Sequence, residues 1–150
     1  MNWSYVAGFF DGEGSITHNS GIGFRVSISQ ANEEVLNEIR NFARIGSIIK
    51  VTKRQSHWKD SWVYHIANKK DVLYFLKQIT PYLLVKKTLS LKIIPELERQ
   101  LVNIAVRKKI HDKRKYEAKI LKSKGWSYRK IGEELKIDWG YARRLILDLV

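Results

Sequence analysis

The chain has 150 residues, enough for one ordinary domain, or for a domain of about 100 residues with a small appendage. It contains no run of about 18 apolar residues and no signal-peptide pattern, so it is expected to be soluble and intracellular, cytoplasmic, and nucleoid-associated in a prokaryote. The absence of cysteine excludes a disulfide framework and a thiolate zinc site, the four histidines (His18, His57, His65, His111) lack metal-ligand spacing, and a net charge of +13 points to a polyanionic partner, nucleic acid first.

Ser4 is placed to cap a first helix that ends near Asp11, and Tyr5-Val6-Ala7-Gly8-Phe9-Phe10 makes its apolar body. Asp11-Gly12-Glu13-Gly14 follows as an acidic glycine turn. Helices favour carboxylates in their first turn, where the macrodipole is positive. Here Asp11 and Glu13 fall at the opposite end, against the field, and a divalent cation is the natural counter-charge. Asp11, which precedes the turn, is also suited to bonding backbone amides.

Ser15 to His18 reads as a strand and Asn19-Ser20-Gly21 as a turn. From Gly23 to Gln30 the pattern alternates, with Phe24, Val26 and Ile28 on one face and Arg25, Ser27 and Ser29 on the other. Asn32 caps the next helix, whose buried stripe is Val35, Leu36, Ile39, Phe42 and Ala43, and Gly46 ends it. A second strand pair covers Ser47 to Gln55 and Ser61 to Ala67. Asn68 caps a helix through Ile79, and Thr80-Pro81 breaks it. Lys86 to about Val106 is helical again, with a kink or break at Pro95.

The remainder differs in character. From Arg107 to Lys130 eleven Lys or Arg face Asp112 and Glu117, a net +9. Asp112 to Lys124 reads as a basic helix stopped by Gly125. Ser127 caps a second helix, Tyr128 to Leu135, and Asp138 caps a third from Trp139. Ile120, Leu121, Trp126, Ile131, Leu135, Ile137, Leu145 and Ile146 form its expected core. The segment "GWSYRKIGEELKIDWGYARRLI" has helix-turn-helix spacing, with Gly132 where a small residue such as Ala is usual. The expected fold is α+β over residues 1–106, followed by a small all-α helix-turn-helix-like module over 107–150.

"YVAGFFDGEG" resembles the signature of the LAGLIDADG homing endonucleases, and the αββαββα order extends that resemblance over about the first 105 residues. It implies a saddle-shaped antiparallel sheet and, because one motif copy is present, a homodimer with the motif helices packed together. Ala7, Gly8, Asp11 and Gly12 then belong to the dimer interface. Absent side chains at Gly8 and Gly12, four apart on one helix face, suit close approach independently. That approach brings the two Glu13 carboxylates together, where they repel unless a cation intervenes.

By resemblance, Glu13 is the acidic metal ligand and the Gly12 carbonyl a backbone ligand. Gln30 matches a polar residue that orders solvent, and Lys86 a basic residue near the scissile phosphate. Gln30 also fits a simple strand-end cap, and Lys86, beside Lys87, a solvated helix-start lysine. The implied reaction is Mg²⁺-dependent phosphodiester hydrolysis, with Mn²⁺ able to substitute. One strand is cut by each protomer of a site-specific double-strand endonuclease encoded in an intron. Met1 stands almost at the motif helix, which fits a free-standing protein and not an excised intein.

The double-stranded DNA partner would be read in the major groove by the hairpins. Arg25, Ser27 and Ser29 come from the first; Lys53, Arg54, Gln55, His57, Lys59 and Trp62 come from the second. Arg143 and Arg144 of the terminal module extend that contact, a module equally compatible with a dimer-supporting cap or a protein-docking role. A non-cleaving DNA-binding regulator and a maturase that binds intron RNA are the competing functions. No membrane partner is expected.

Overall fold

Asparagine side chains start three helices of the computed structural model, which describes residues 1–20, 23–53, 55 and 57–148. Helix α1 (Trp3–Glu13) is capped by Asn2, whose Oδ1 accepts from the Tyr5 amide at 2.9 Å. Ser4, expected in that role, lies inside the helix and donates its hydroxyl to the same oxygen. The helix runs two residues beyond Asp11, so Gly12 and Glu13 form its last turn. Gly14 then turns the chain into the sheet. Its N–H bonds the Phe10 carbonyl, and a Cβ there would collide with the buried Phe10 ring.

Strands β1 (Gly14–Asn19), β2 (Gly23–Gln30), β3 (Ser47–Lys50) and β4 (Trp62–Ile66) form one antiparallel sheet in the order β1-β2-β4-β3. Gly21, expected in the first hairpin turn, lies outside the described residues. Val26, Ile28, Tyr64 and Ile66 point to the covered face and are fully or almost fully buried. Against them pack Val6, Ala7 and Phe10 of α1, Leu36 and Ile39 of α2 (Glu33–Ala43), and Val72, Phe75, Leu76 and Ile79 of α3 (Lys69–Ile79). Asn32 and Asn68 cap α2 and α3 as expected, accepting from the Glu34 and Lys70 amides at 2.9 Å. Arg44, not Gly46, takes the left-handed position that ends α2, at φ 57°. Basic charge suits that helix end.

The break at Thr80-Pro81 is a single 3-10 turn (Thr80–Tyr82). Helix α4 (Lys87–Ser123) runs without interruption through Pro95, where a kink or break was expected, and joins the helices expected separately at Lys86 to about Val106 and at Asp112 to Lys124. Proline removes one backbone bond, to the carbonyl of Leu91. Leu91 is 54% exposed, so water can serve that carbonyl, while buried Ile93 and Leu97 hold both flanking turns on the core.

The chain divides into two units, Met1–Leu101 and Val102–Val150; the division expected from sequence lay after Val106. The first has the αββαββα order. The second has its own core of Ala118, Ile131 and Ala142, flanked by Leu121, Trp126, Leu135, Ile137 and Ile146, with Leu145 buried as well. Ile120, expected inside, is 36% exposed. The alanines at 118 and 142 occupy the centre because they let the helices close up. Gly125, at φ 84°, stops α4 as expected. Gly125 N–H bonds the Lys122 carbonyl and Trp126 N–H that of Leu121, the paired bonds of a Schellman turn.

Helices α5 (Tyr128–Leu135) and α6 (Trp139–Ile146) are capped by Ser127 and Asp138. Between them the chain folds back hard on Gly132. A Cβ there would lie 2.8 Å from the Ile137 carbonyl oxygen and 3.2 Å from the Trp139 backbone. The position therefore favours glycine, where the sequence spacing led to the expectation of a small residue such as alanine. Gly132→Ala is expected to destabilise the second unit by about 2 kcal/mol. Thermal melting checks this, and a variant melting at or above the parent would show that the turn has room.

Candidate active site and nucleic-acid face

The end of α1 is tied down by the carboxylate of Asp11. Its Oδ2 accepts from the amides of Leu84 (2.6 Å) and Val85 (3.2 Å), and its Oδ1 from that of Lys86 (2.9 Å). Burial raises the Asp11 pKa, but those three amides and the Lys86 charge outweigh it and hold the group below its ordinary value. The field problem posed by a carboxylate at a helix C-terminus is thus solved for Asp11 inside the chain, without a metal ion. Lys86 donates from Nζ to the Asp11 carbonyl and lies 5.8 Å from the centre of the Phe10 ring. It is half-buried against the motif helix, and so differs from a solvated helix-start lysine.

Glu13 is exposed and has no hydrogen-bond or ion-pair partner among the described residues. The Gly12 carbonyl falls in the last turn, among those without an intrahelical donor. Gly8 and Gly12 are exposed on one face of α1, and a Cβ at either would meet nothing within 4 Å. Ala7, expected on that face, is fully buried in the chain's own core and has no surface to offer a second copy. Asp11 is likewise occupied within the chain. The exposed neighbours of the glycine face are Tyr5 (50% exposed), which stacks on Phe9, and the Leu84-Val85 pair held by Asp11.

Gln30 closes β2, two residues beyond Ile28, which pairs with Gly14 where β1 leaves α1. Its Oε1 accepts from the Ala31 amide at 2.7 Å, the bond of a strand-end cap. Among the described residues no three His, Cys, Asp or Glu side chains gather to hold a metal. One chain offers a carboxylate and a carbonyl at the α1 tip. Both are hard oxygen donors of the kind Mg²⁺ takes, and too few for its coordination shell of about six.

The sheet face opposite the helices carries Ser15 and Thr17 from β1, Arg25, Ser27 and Ser29 from β2, Val63 and His65 from β4, and Ser47 and Ile49 from β3. Cross-strand pairing aligns Ser15, Ser27, His65 and Ser47 in one row. Ser15 and Ser27 share a hydroxyl bond of 2.9 Å, and Ser47 Oγ lies 3.3 Å from His65 Nε2. Thr17, Arg25, Ser27, Ile49, Val51, Val63 and His65 line a shallow groove on this face. Alternation alone assigned the three β2 residues correctly to it. His65, Thr17, Ile49 and Val63 were missed; the signal that finds them is register, because each sits opposite a residue of that face.

The second hairpin departs most from expectation. Strand β3 stops at Lys50, so Lys53, Gln55, His57 and Lys59 belong to the connection to β4, and Arg54 lies outside the described residues. One further backbone bond, from the Val51 amide to the Ser61 carbonyl at 2.8 Å, follows the end of the strand, and Asp60 lies beside it. Asp60 pairs with Lys53 at 2.8 Å and Lys50 at 3.2 Å, bonds that keep its carboxyl below the ordinary value, and these cross-links close the loop on itself. Trp62 is corrected. It shares the phase of Tyr64 and Ile66, packs partly on the core, and has Lys50 Nζ 5.4 Å from its ring centre. It therefore lies on the covered face and not beside Arg25. In the second unit Arg143 and Arg144 are both exposed on α6, and the Arg144 guanidinium lies 5.8 Å from the Tyr141 ring.

Residues 2–80 match the family model of the LAGLIDADG-like domain. No curated protein matches the sequence. Among solved structures, the archaeal intron-encoded homing endonuclease I-Vdi141I, complexed with DNA, aligns at 23% identity over 97% of this chain and 94% of its own, with a TM-score of 0.50. The LAGLIDADG meganuclease I-AabMI, bound to uncleaved DNA, aligns at 18% identity over 79% of this chain and 44% of its own, with a TM-score of 0.54. The homing endonuclease I-CvuI, in complex with a DNA target, aligns at 16% identity over 64% of this chain and 65% of its own, with a TM-score of 0.49. The chain thus spans about two thirds of I-CvuI and under half of I-AabMI. These likenesses are of fold; the family match covers more than half the sequence and runs from the helix that ends at Glu13 through the whole sheet, which makes the chain a member of the LAGLIDADG family.

Proposed function

We propose that the protein is a site-specific, double-strand DNA endonuclease, intron-encoded, that works as a homodimer and hydrolyses phosphodiesters with Mg²⁺. The observation that carries this reading is the open glycine face of α1, which ends in a Glu13 carboxylate without a partner among the described residues. A helix face with no side chains at Gly8 and Gly12 leaves backbone exposed to solvent. A second copy of the same helix covers it and places two Glu13 carboxylates side by side. The exposed Leu84 (88%) and Val85 (77%), fixed to the end of α1 through Asp11, add apolar surface for the same contact.

Glu13 and the Gly12 carbonyl would hold the ion, together with their counterparts on the second copy. When bound, Mg²⁺ supplies a lowered water pKa and stabilises charge that develops on the phosphate. Lys86, fixed by its bond to the Asp11 carbonyl and with two further N–H donors, brings positive charge to the same end of α1. Gln30 orients water through its amide. Arg25, Ser27, Ser29 and His65 face the major groove from the open side of the sheet, and the Ile49-Val51-Val63 strip suits thymine methyl groups.

A plasmid carrying the rejoined sequence that flanks the reading frame tests this directly. It should be linearised with Mg²⁺ and stay intact in a chelator. A plasmid that is bound specifically but never cut identifies a non-cleaving regulator instead. Binding should also weaken steeply with salt. Neutralising about five phosphates or more gives a slope of log K against log salt of about −4.5 or steeper. A slope shallower than about −2 would mean that the cationic residues do not meet the phosphate backbone.

A further inference from the structure

The second unit holds fourteen Lys or Arg against six Asp or Glu in 49 residues, more than half the net charge of the protein. Its carboxylates are largely occupied. Asp148 is bonded to Lys115 and Lys119, which keep its carboxyl below the ordinary value. Glu117 faces Lys113, Asp112 lies beside His111, and Asp138 caps α6. The unit therefore presents a cationic surface, and α6 shows what that surface is shaped to do.

Ala142 and Leu145 turn one side of α6 into the core. Trp139 and Arg143, one helical turn apart, lie on the other. Trp139 is 53% exposed, although the small core beneath takes Trp126. Lys136 is the residue just before this face, in the turn between α5 and α6. It holds a left-handed conformation, φ 51°, which glycine would adopt without strain. As the C-terminal cap of α5 it leaves its side chain exposed and brings a charge beside the exposed Trp139. Arg129, Lys136 and Trp139 line one groove with Glu133, which is a single helical turn from Arg129.

We infer that the second unit is a separate duplex-DNA-binding surface, with Trp139 and Arg143 of α6 reading bases in the major groove and Lys136 and Arg129 holding the phosphates beside it. An aromatic ring and a guanidinium in the first turns of the second helix are the side chains that reach base edges in this geometry, while the flanking cations fix register. The site recognised by the protein is then longer than the stretch read by the sheet. This inference rests on the proposed action on duplex DNA and adds a second reading element to it.

The test uses the full chain and a library of duplexes with a long randomised core. The parent protein should select two separate blocks of sequence. The Trp139→Ala, Arg143→Ala double variant should lose one block, keep the other, and bind the parent's selected duplex about tenfold more weakly. Arg25→Ala should erode only the remaining block. Lys136→Gly separates function from folding: its melting temperature should rise as the left-handed strain disappears, while affinity falls and the salt slope decreases by about one. A double variant that selects the same blocks as the parent with equal affinity overturns the inference but leaves plasmid cleavage untouched. Preference of the parent for a randomised RNA pool overturns it in favour of RNA. If no duplex is selected and the plasmid stays uncut, the proposed function itself fails.

Discussion

Replacing Glu13 by glutamine should reduce plasmid cleavage by about three orders of magnitude while leaving specific binding within about twofold. The substitution keeps size and one carbonyl oxygen and removes the charge that would hold a divalent ion. Glu13 makes no bond to the rest of the described chain, so the variant should melt within about 0.5 kcal/mol of the parent. That combination is diagnostic. Loss of binding together with cutting would indicate a folding defect, and retained cutting would remove Glu13 from the chemistry. Raising the Mg²⁺ or Mn²⁺ concentration should recover a small part of the activity, as expected when one ligand of several is weakened.

The second large effect is expected at Asp11. Asp11→Ala removes the acceptor of three backbone amides and should cost about 2–3 kcal/mol, the usual range for bonds to a charged group. Cleavage should fall further than stability alone explains, because Lys86 loses its seat at the end of α1. Lys86 is held to Asp11 twice, by its amide on the carboxylate and by its ammonium on the carbonyl, and the substitution removes the first of these bonds. The pH dependence follows from the direction of the shift. The folded pKa of Asp11 lies below its unfolded value, so its contribution is fully present above about pH 4 and is lost as pH falls through the folded pKa. An acid melting series should therefore show a steeper loss for the parent than for Asp11→Asn. Equal slopes would mean that the carboxylate charge is not what the amides recognise.

Local chemistry was the most legible part of this chain. Asn32, Asn68, Ser127 and Asp138 each start a helix because a short polar side chain bonds an amide two or three residues ahead, an interaction complete within four residues of sequence. The alternation from Phe24 to Ser29 gave the two faces of β2 for the same reason. What escaped depends on distant partners. Pro95 reads as a kink or break, but the helix continues through it, with buried Ile93 and Leu97 on either side. Strand β3 reads as nine residues but pairs with β4 over only four, from Ser47 to Lys50. Trp62 reads as an aromatic in a basic hairpin, and only its register opposite Gln30 puts it on the covered face. At the candidate site, the motif alone marks Glu13 and Gly12, and the structure adds that Glu13 is exposed at the end of α1. The role of Asp11 could be anticipated only in kind, since its three donors lie more than seventy residues away. Gly132 looked like a tolerated departure, yet the tight return of Ile137 and Trp139 favours it.

The clamp at Asp11 also sets where this protein can be cut and recombined. The portion that matches the family model stops at residue 80, before Leu84. A fragment trimmed to that boundary would retain the whole signature but leave its aspartate stranded at the wrong end of a helix, with nothing to neutralise it. Grafts and minimal domains built from this scaffold must carry the link through Lys86 with them, whatever is attached beyond it.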